Sequence, residues 1–177
     1  TGAIFNLGVC NESGDGVPQD KARAFKLYQQ AAELGDMDAV VNLAICYQKG
    51  DGIAQNNAEA FRLYQQAADW SQTSAMFSLC VCNEKGYGVP RDTIKAIKWY
   101  QQAAHLGDTD AMFDLGVCYE KGDGVPQDKK KGIQLYQQAA VLGNAQAINN
   151  LAGCHRREDG VPQDKKKYIE LLQQAAS

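Results

Sequence analysis

No stretch of this 177-residue sequence approaches the ~20 consecutive apolar residues that a helix needs to cross a bilayer, so membrane insertion of the segment is excluded. Histidine is scarce: only His105 and His155 occur. Only these two could assist the cysteines in a zinc site, and no C-x-x-C pair exists, so the metal reading is poor. The usual catalytic signatures are missing as well, whether G-x-x-x-x-G-K-[ST], G-x-S-x-G, H-E-x-x-H or S-x-x-K. The net charge of −3 lacks the basic excess that nucleic acid requires. The runs Lys129-Lys130-Lys131 and Lys165-Lys166-Lys167 read as solvated helix starts. The G-D-G segments follow helices and serve as helix stop and loop, not as phosphate cradles, and the acidic residues near them do not match a calcium loop. No cofactor, no metal and no nucleic acid partner are expected.

What is present is a period. Cys10, Cys46, Cys82, Cys118 and Cys154 are each 36 residues apart, as are Leu7, Leu43, Leu79, Leu115 and Leu151. The pairs ending in Ala32, Ala68, Ala104, Ala140 and Ala176 share the step. A fixed period of this size marks a repeat array, in which each unit buries its apolar face on the next. The units are 1–36, 37–72, 73–108, 109–144 and 145–177, together one solenoid over 1–177. The chain begins at Thr1, where a unit begins, and is read as whole units from a longer protein.

Each unit reads as helix, glycine-rich loop, helix and short turn. In the fourth, a helix over Thr109 to Lys121 places Ala111, Met112, Leu115, Gly116, Cys118 and Tyr119 on one apolar face. Ala44, Cys80 and Ala152 fill the Gly116 slot elsewhere, so that slot demands small size. Gly122 suits a left-handed helix end, Gly124 a second unusual backbone angle, Val125 an apolar plug and Asp128 a helix cap. The second helix, from Lys129 to Leu142, carries Leu135, Tyr136, Ala139 and Ala140 as its inner stripe, and Gly143 ends it. Ser71 stands where other units have glycine, which predicts either an altered turn or a shifted helix–helix angle. The fifth unit departs most, with Glu158, Tyr168 and Leu172, and its Ile169, Leu171 and Leu172 are expected to be partly uncovered.

Five of the six cysteines occupy one slot of successive units, and Cys80 lies beside Cys82. Equivalent helices of stacked repeats sit about 8–10 Å apart, whereas a disulfide needs Cα atoms within about 7 Å. Free thiols acting as small core residues are expected, and they favour a reducing, cytoplasmic location. The sequon at Asn11-Glu12-Ser13 is a single short match on a helix.

The pattern A-x-F-x-L-G-x-x-Y-x-x-G-x-G-V followed by L-Y-x-x-A-A-x-x-G resembles the Sel-1-like repeat family, relatives of the tetratricopeptide repeat. Ala111, Phe113, Leu115, Gly116, Tyr119, Gly122, Gly124, Val125, Leu135, Tyr136, Ala139, Ala140 and Gly143 carry it, and all five units agree. The resemblance implies an all-α, right-handed α/α solenoid of helix–loop–helix repeats. It also implies a scaffold or adaptor role without catalysis. One cysteine-rich branch of that family ties the two helices of each repeat by a disulfide, and some members bind or hydrolyse β-lactams. This chain has no cysteine in a second helix, so that branch is a poor match.

In such a solenoid the first helices line an extended concave surface suited to a protein or peptide partner. One row there holds Phe5, Val41, Phe77, Phe113 and Asn149, and another holds Val9, Ile45, Val81 and Val117. A polar row of Asn6, Asn42, Ser78, Asp114 and Asn150 suits a peptide backbone, because carboxamides both donate and accept. Glu120 and Arg156 stand on the rim. The aromatic row serves either packing or binding. A structural spacer, or an array that associates end to end through its apolar termini, is the alternative from a different class.

Overall fold

Helix ends in this chain are set by side chains that satisfy the backbone groups a helix leaves open. In the computed structural model, which describes residues 1–157, 164, 166, 169 and 170, Asp20, Asp36, Asp108 and Asp128 cap helices by accepting from the N–H three residues on. Asn56 and Asn144 do the same for Glu59 and Ala147. An Asp or Asn cap is worth about 1 kcal/mol over alanine. The helices are α1 (Gly2–Ser13), α2 (Lys21–Glu33), α3 (Met37–Lys49), α4 (Asn57–Asp69), α5 (Thr73–Lys85), α6 (Thr93–His105), α7 (Thr109–Lys121), α8 (Lys129–Val141) and α9 (Ala145–Arg157), and the six caps start α2, α3, α4, α7, α8 and α9. All regular structure among the described residues is α-helical. Odd-numbered helices are the first of each repeat and even-numbered ones the second. They fall into two compact units, Thr1–Asp92 with α1–α5 and the part from Thr93 with α6–α9.

In the first four repeats the loop is tied to the helix before it. Gly14, Gly50, Gly86 and Gly122 end the first helices with φ between 77° and 80°. Their N–H groups donate to the carbonyls of Cys10, Cys46, Cys82 and Cys118 at 2.8 Å. The N–H of each following cap position returns to the same helix, as Asn56 does to the Tyr47 carbonyl at 2.8 Å. Gln19, Gln55 and Gln127 donate their carboxamides to the carbonyls of Glu12, Gln48 and Glu120 at 2.7–2.8 Å. These glutamines satisfy carbonyls that the helix end leaves without a partner.

The second loop glycine has a different reason. A Cβ on Gly52 would stand 2.2 Å from the Lys21 carbonyl oxygen, and one on Gly88 would stand 2.0 Å from that of Asn57. The loop of one repeat therefore rests on the start of the second helix of the repeat before it. Gly16 shares the positive φ, at 70°, but faces open space.

The predicted inner face of α7 is the buried one, residue for residue. On α8 the prediction needs correction. Gly132, Ile133, Tyr136, Ala139 and Ala140 are buried, while Leu135 is only half-buried. A second helix packs on its own partner and on the neighbouring repeat at once, so its apolar arc is wider than one stripe. Phe25 and Ile97 are buried in the Ile133 slot of α2 and α6. In the second unit Met112, Ile133, Tyr136, Ile148 and Leu151 form one core cluster. Burying each such side chain stabilises by about 1.5–3 kcal/mol.

Ser71 does not alter its turn. It takes the left-handed conformation itself, with φ 61°. The bonds Ser71 N–H to Ala68 O at 2.9 Å and Gln72 N–H to Ala67 O at 3.2 Å match those at Gly35 and Asp36. The hydrogen bonds of the turn hold the serine in a conformation that L-residues disfavour. Of the fifth repeat's atypical residues only Ile169 is described, and it is exposed. Glu158, Tyr168, Leu171 and Leu172 lie outside the described residues.

Two outcomes are expected from urea unfolding. Ser71→Gly raises stability by about 0.5–1 kcal/mol, because the strain disappears; an unchanged or lower midpoint contradicts this account of the turn. Gly88→Ala lowers stability by several-fold more than the ~1–2 kcal/mol that backbone strain alone predicts for Gly16→Ala. Equal losses at the two sites would show that the contact with Asn57 carries no weight.

Candidate functional site

In the first and fourth repeats a tyrosine of the second helix lies across the small slot of the first. A Cβ on Gly8 would meet the Tyr28 ring at 2.7 Å, and one on Gly116 would meet the Tyr136 ring at 2.7 Å. Tyr28 and Tyr136 are fully buried. Each reaches out of the core with its hydroxyl: Tyr28 donates to Glu12 at 2.6 Å, Tyr64 to Gln48 at 2.8 Å and Tyr136 to Glu120 at 2.6 Å. Burial, and then the bond to the neighbouring carboxylate, pushes the Tyr28 and Tyr136 phenols well above their ordinary range. Burial raises Tyr64 to about 12.

These tyrosines organise the face expected to bind. Phe5 and Phe113 are half-buried and pack on Tyr28 and Tyr136 with ring centroids 5.9 and 5.7 Å apart. The aromatic row thus serves packing at those positions, and Phe77 is half-buried too. Val41 is buried at 8% exposure and cannot present itself to a ligand, which corrects its place among the candidates. Neighbouring helices cover it because it lies next to the inner face of α3. Glu120 is likewise engaged, since its carboxylate accepts from Tyr136. The polar row is not idle either: Ser78 Oγ donates to the Ser74 carbonyl at 3.0 Å.

The remaining candidates keep solvent access. In the first unit Asn6 and Val9 are exposed, and Asn42, Ile45, Ser78 and Val81 are half-buried. In the second, Asp114, Val117 and Asn150 are half-buried, and Asn149 and Arg156 exposed. The sequon asparagine Asn11 is buried, and its Nδ2 donates to the Leu7 carbonyl at 2.7 Å. All six cysteines are free thiols, none of them in a second helix. Burial raises the Cys46 and Cys82 thiols to about 11. Among the described residues no cluster of three or more His, Cys, Asp or Glu could hold a metal ion, and no helix is long and apolar enough to cross a membrane.

Grooves lie between successive second helices, a feature the repeat pattern does not reveal. In the second unit a groove of about 1000 Å³ runs between α6 and α8 over α7, floored by Met112, Leu115 and Leu135. In the first unit the equivalent space between α2 and α4 over α3, floored by Val40, Leu43 and Leu63, holds about 280 Å³. The rims differ in charge at three equivalent positions, Glu33, Glu59 and Arg62 on the smaller groove against His105, Lys131 and Gln134 on the larger. Glu59 and Arg62 close an ion pair at 2.6 Å on the smaller groove. Lys131 and Gln134 occupy those slots on the larger one. The period pairs these residues, but only the packing of successive second helices makes a groove of them.

The helix–loop–helix repeat defines the class, and comparison with known proteins places the chain within it. The Sel1 repeat model matches residues 1–36, 38–69, 73–108, 109–144 and 145–177. The chain belongs to the Sel1 repeat family. No curated protein sequence matches it. Among solved structures it is similar to a Sel1 repeat protein from Oxalobacter formigenes, at 31% identity and TM-score 0.93, covering 99% of this chain and 71% of that one. It is also similar to a protective antigen present in uropathogenic Escherichia coli strains displaying an SLR fold, at 32% identity and TM-score 0.89. That match covers 99% of this chain, which spans only 38% of the antigen. Helicobacter pylori cysteine rich protein B matches at 26% identity and TM-score 0.60, over 75% of this chain and 96% of that one. Proteins of the family generally mediate protein–protein interaction and are generally non-enzymatic.

The raised thiols and phenols fix the pH response. A group whose pKa is higher in the folded state binds its proton more tightly there, so its stabilisation is complete below the unfolded value and is lost as pH rises. With Cys46 and Cys82 moved from 9.0 to about 11 and Tyr64 from 10.0 to about 12, stability holds up to pH 9 and falls between 9 and 12. Urea midpoints measured from pH 7 to 11 check this, and Cys46→Ala makes the decline shallower. A midpoint constant to pH 11 would contradict it.

Proposed function

We propose that the chain is a non-enzymatic interaction module that holds a peptide or protein partner on the outward face of its first helices. The observation that carries this reading is the first unit's polar row of Asn6, Asn42 and Ser78, beside the apolar Val9, Ile45 and Val81, all with solvent access. Carboxamides and hydroxyls in register offer donors and acceptors to a peptide backbone, and the apolar row takes its side chains. In the second unit Asp114 and Asn150 with Val117 repeat the arrangement, and Asn149 and Arg156 extend it. Ser78 Oγ is held by donating to the Ser74 carbonyl at 3.0 Å. Pre-positioned polar groups lose less freedom on binding, and affinity rises accordingly. The family's general role in protein–protein interaction supports the same conclusion.

A photo-crosslinking amino acid placed at Asn42 or Ile45 in the parent protein, in its native cell, is expected to give discrete adducts identifiable by mass spectrometry. The same group at the exposed Ala58 of α4, or at Asp15 in the first loop, is expected to give none. Indistinguishable adducts from both pairs of positions would remove the first-helix face from consideration.

A further inference from the structure

The larger groove has a chemistry of its own. Its floor is apolar, and its outer lip adds Val141 and Leu142, which are 84% and 58% exposed. Val141 in solvent is an unusual use of an aliphatic side chain at the end of a helix whose other exposed positions are Gln and Lys. The charged side chain on the rim is Lys131 on α8, His105 stands on α6, and no carboxylate is among the lining residues. This holds in a chain whose net charge is −3. Lys131 does not hang free. Its Nζ stands 4.2 Å from the centre of the Tyr119 ring and donates to the Tyr119 hydroxyl at 2.7 Å. That fixes the ammonium at the mouth while leaving its other donors toward the groove. In the smaller groove of the first unit the slots of Lys131, Gln134 and His105 carry Glu59, Arg62 and Glu33, and Glu59 is paired with Arg62. One groove has closed on its own ion pair; the other offers an unbalanced positive charge over an apolar floor.

We infer that the groove between α6 and α8 docks an acidic amphipathic helix, whose apolar stripe covers Met112, Leu115 and Val141 and whose flanking carboxylate meets Lys131. A helix is the form that suits walls made of two helices, because it satisfies its own backbone and offers only side chains to a groove. Charge complementarity selects the acidic partner: a glutamate or aspartate beside the stripe gains Lys131, and a lysine there would be repelled. This surface is separate from the first-helix face, so the chain can hold two partners.

The test uses two fluorescein-labelled peptides of sixteen residues. Both carry Leu and Ile on one helical stripe; one is flanked by Glu and the other by Lys. Anisotropy against the whole chain is expected to show saturable binding of the Glu peptide only. Lys131→Glu is expected to weaken the Glu peptide about fivefold and to recruit the Lys peptide. Val141→Asp is expected to abolish binding of the Glu peptide, and Asp15→Ala, at an exposed position of the first loop, to leave it unchanged. Circular dichroism melts confirm that each variant folds. Absence of binding by the Glu peptide, equal binding of both peptides, or indifference to Lys131→Glu overturns the inference. So does a dimer in sedimentation velocity that Lys131→Glu dissociates, which would assign the groove to a second copy of the chain.

Discussion

The structure depends on one contact within the repeat: a tyrosine ring laid on a first helix at a position too tight for a large side chain. The ring lies where a Cβ on Gly8 or Gly116 would intrude at 2.7 Å. In the second unit the two helices come so close that a Cβ on Gly132 would stand 2.8 Å from the Gly116 carbonyl oxygen. A phenol buried this deeply must place its hydroxyl, since an unsatisfied buried donor costs about 1–3 kcal/mol. Glu12, Gln48 and Glu120 accept it. The side chain that fills the core thereby also fixes the rim.

From that contact the division of labour follows. Positions that recur serve the hairpin: the small slot, the tyrosine, the glycine that ends the first helix and the Asp or Asn that starts the second. Positions that vary decide what each groove presents. Glu59 and Arg62 seal one space between second helices, and Lys131 with Gln134 leaves its counterpart open and basic. The scaffold tolerates this because those side chains project from the rim and bear no packing load.

The repeat also shows how much strain a turn can absorb. Ser71 sits in the left-handed region that three glycines occupy elsewhere, yet the turn keeps its hydrogen bonds. Ordering imposed by two flanking helices exceeds the cost of about 1–2 kcal/mol at one residue.

Periodicity alone determined the hairpins, and the reason is local. A cap needs only an Asp or Asn before a helix and a glycine after it, and an inner face needs only apolar residues at helical spacing. The bounds and buried face of α7 were therefore legible in the sequence. So were the free thiols, because one slot repeated at a fixed step cannot pair with itself across helices. Tertiary structure decided what two neighbours do to a side chain. It buried Val41, packed Phe5 and Phe113 on tyrosines, engaged Glu120 and brought Ile133 into the core. It also opened a groove between α6 and α8 from residues that no helical wheel brings together. A wheel shows one helix, whereas burial and concavity arise only where several helices meet.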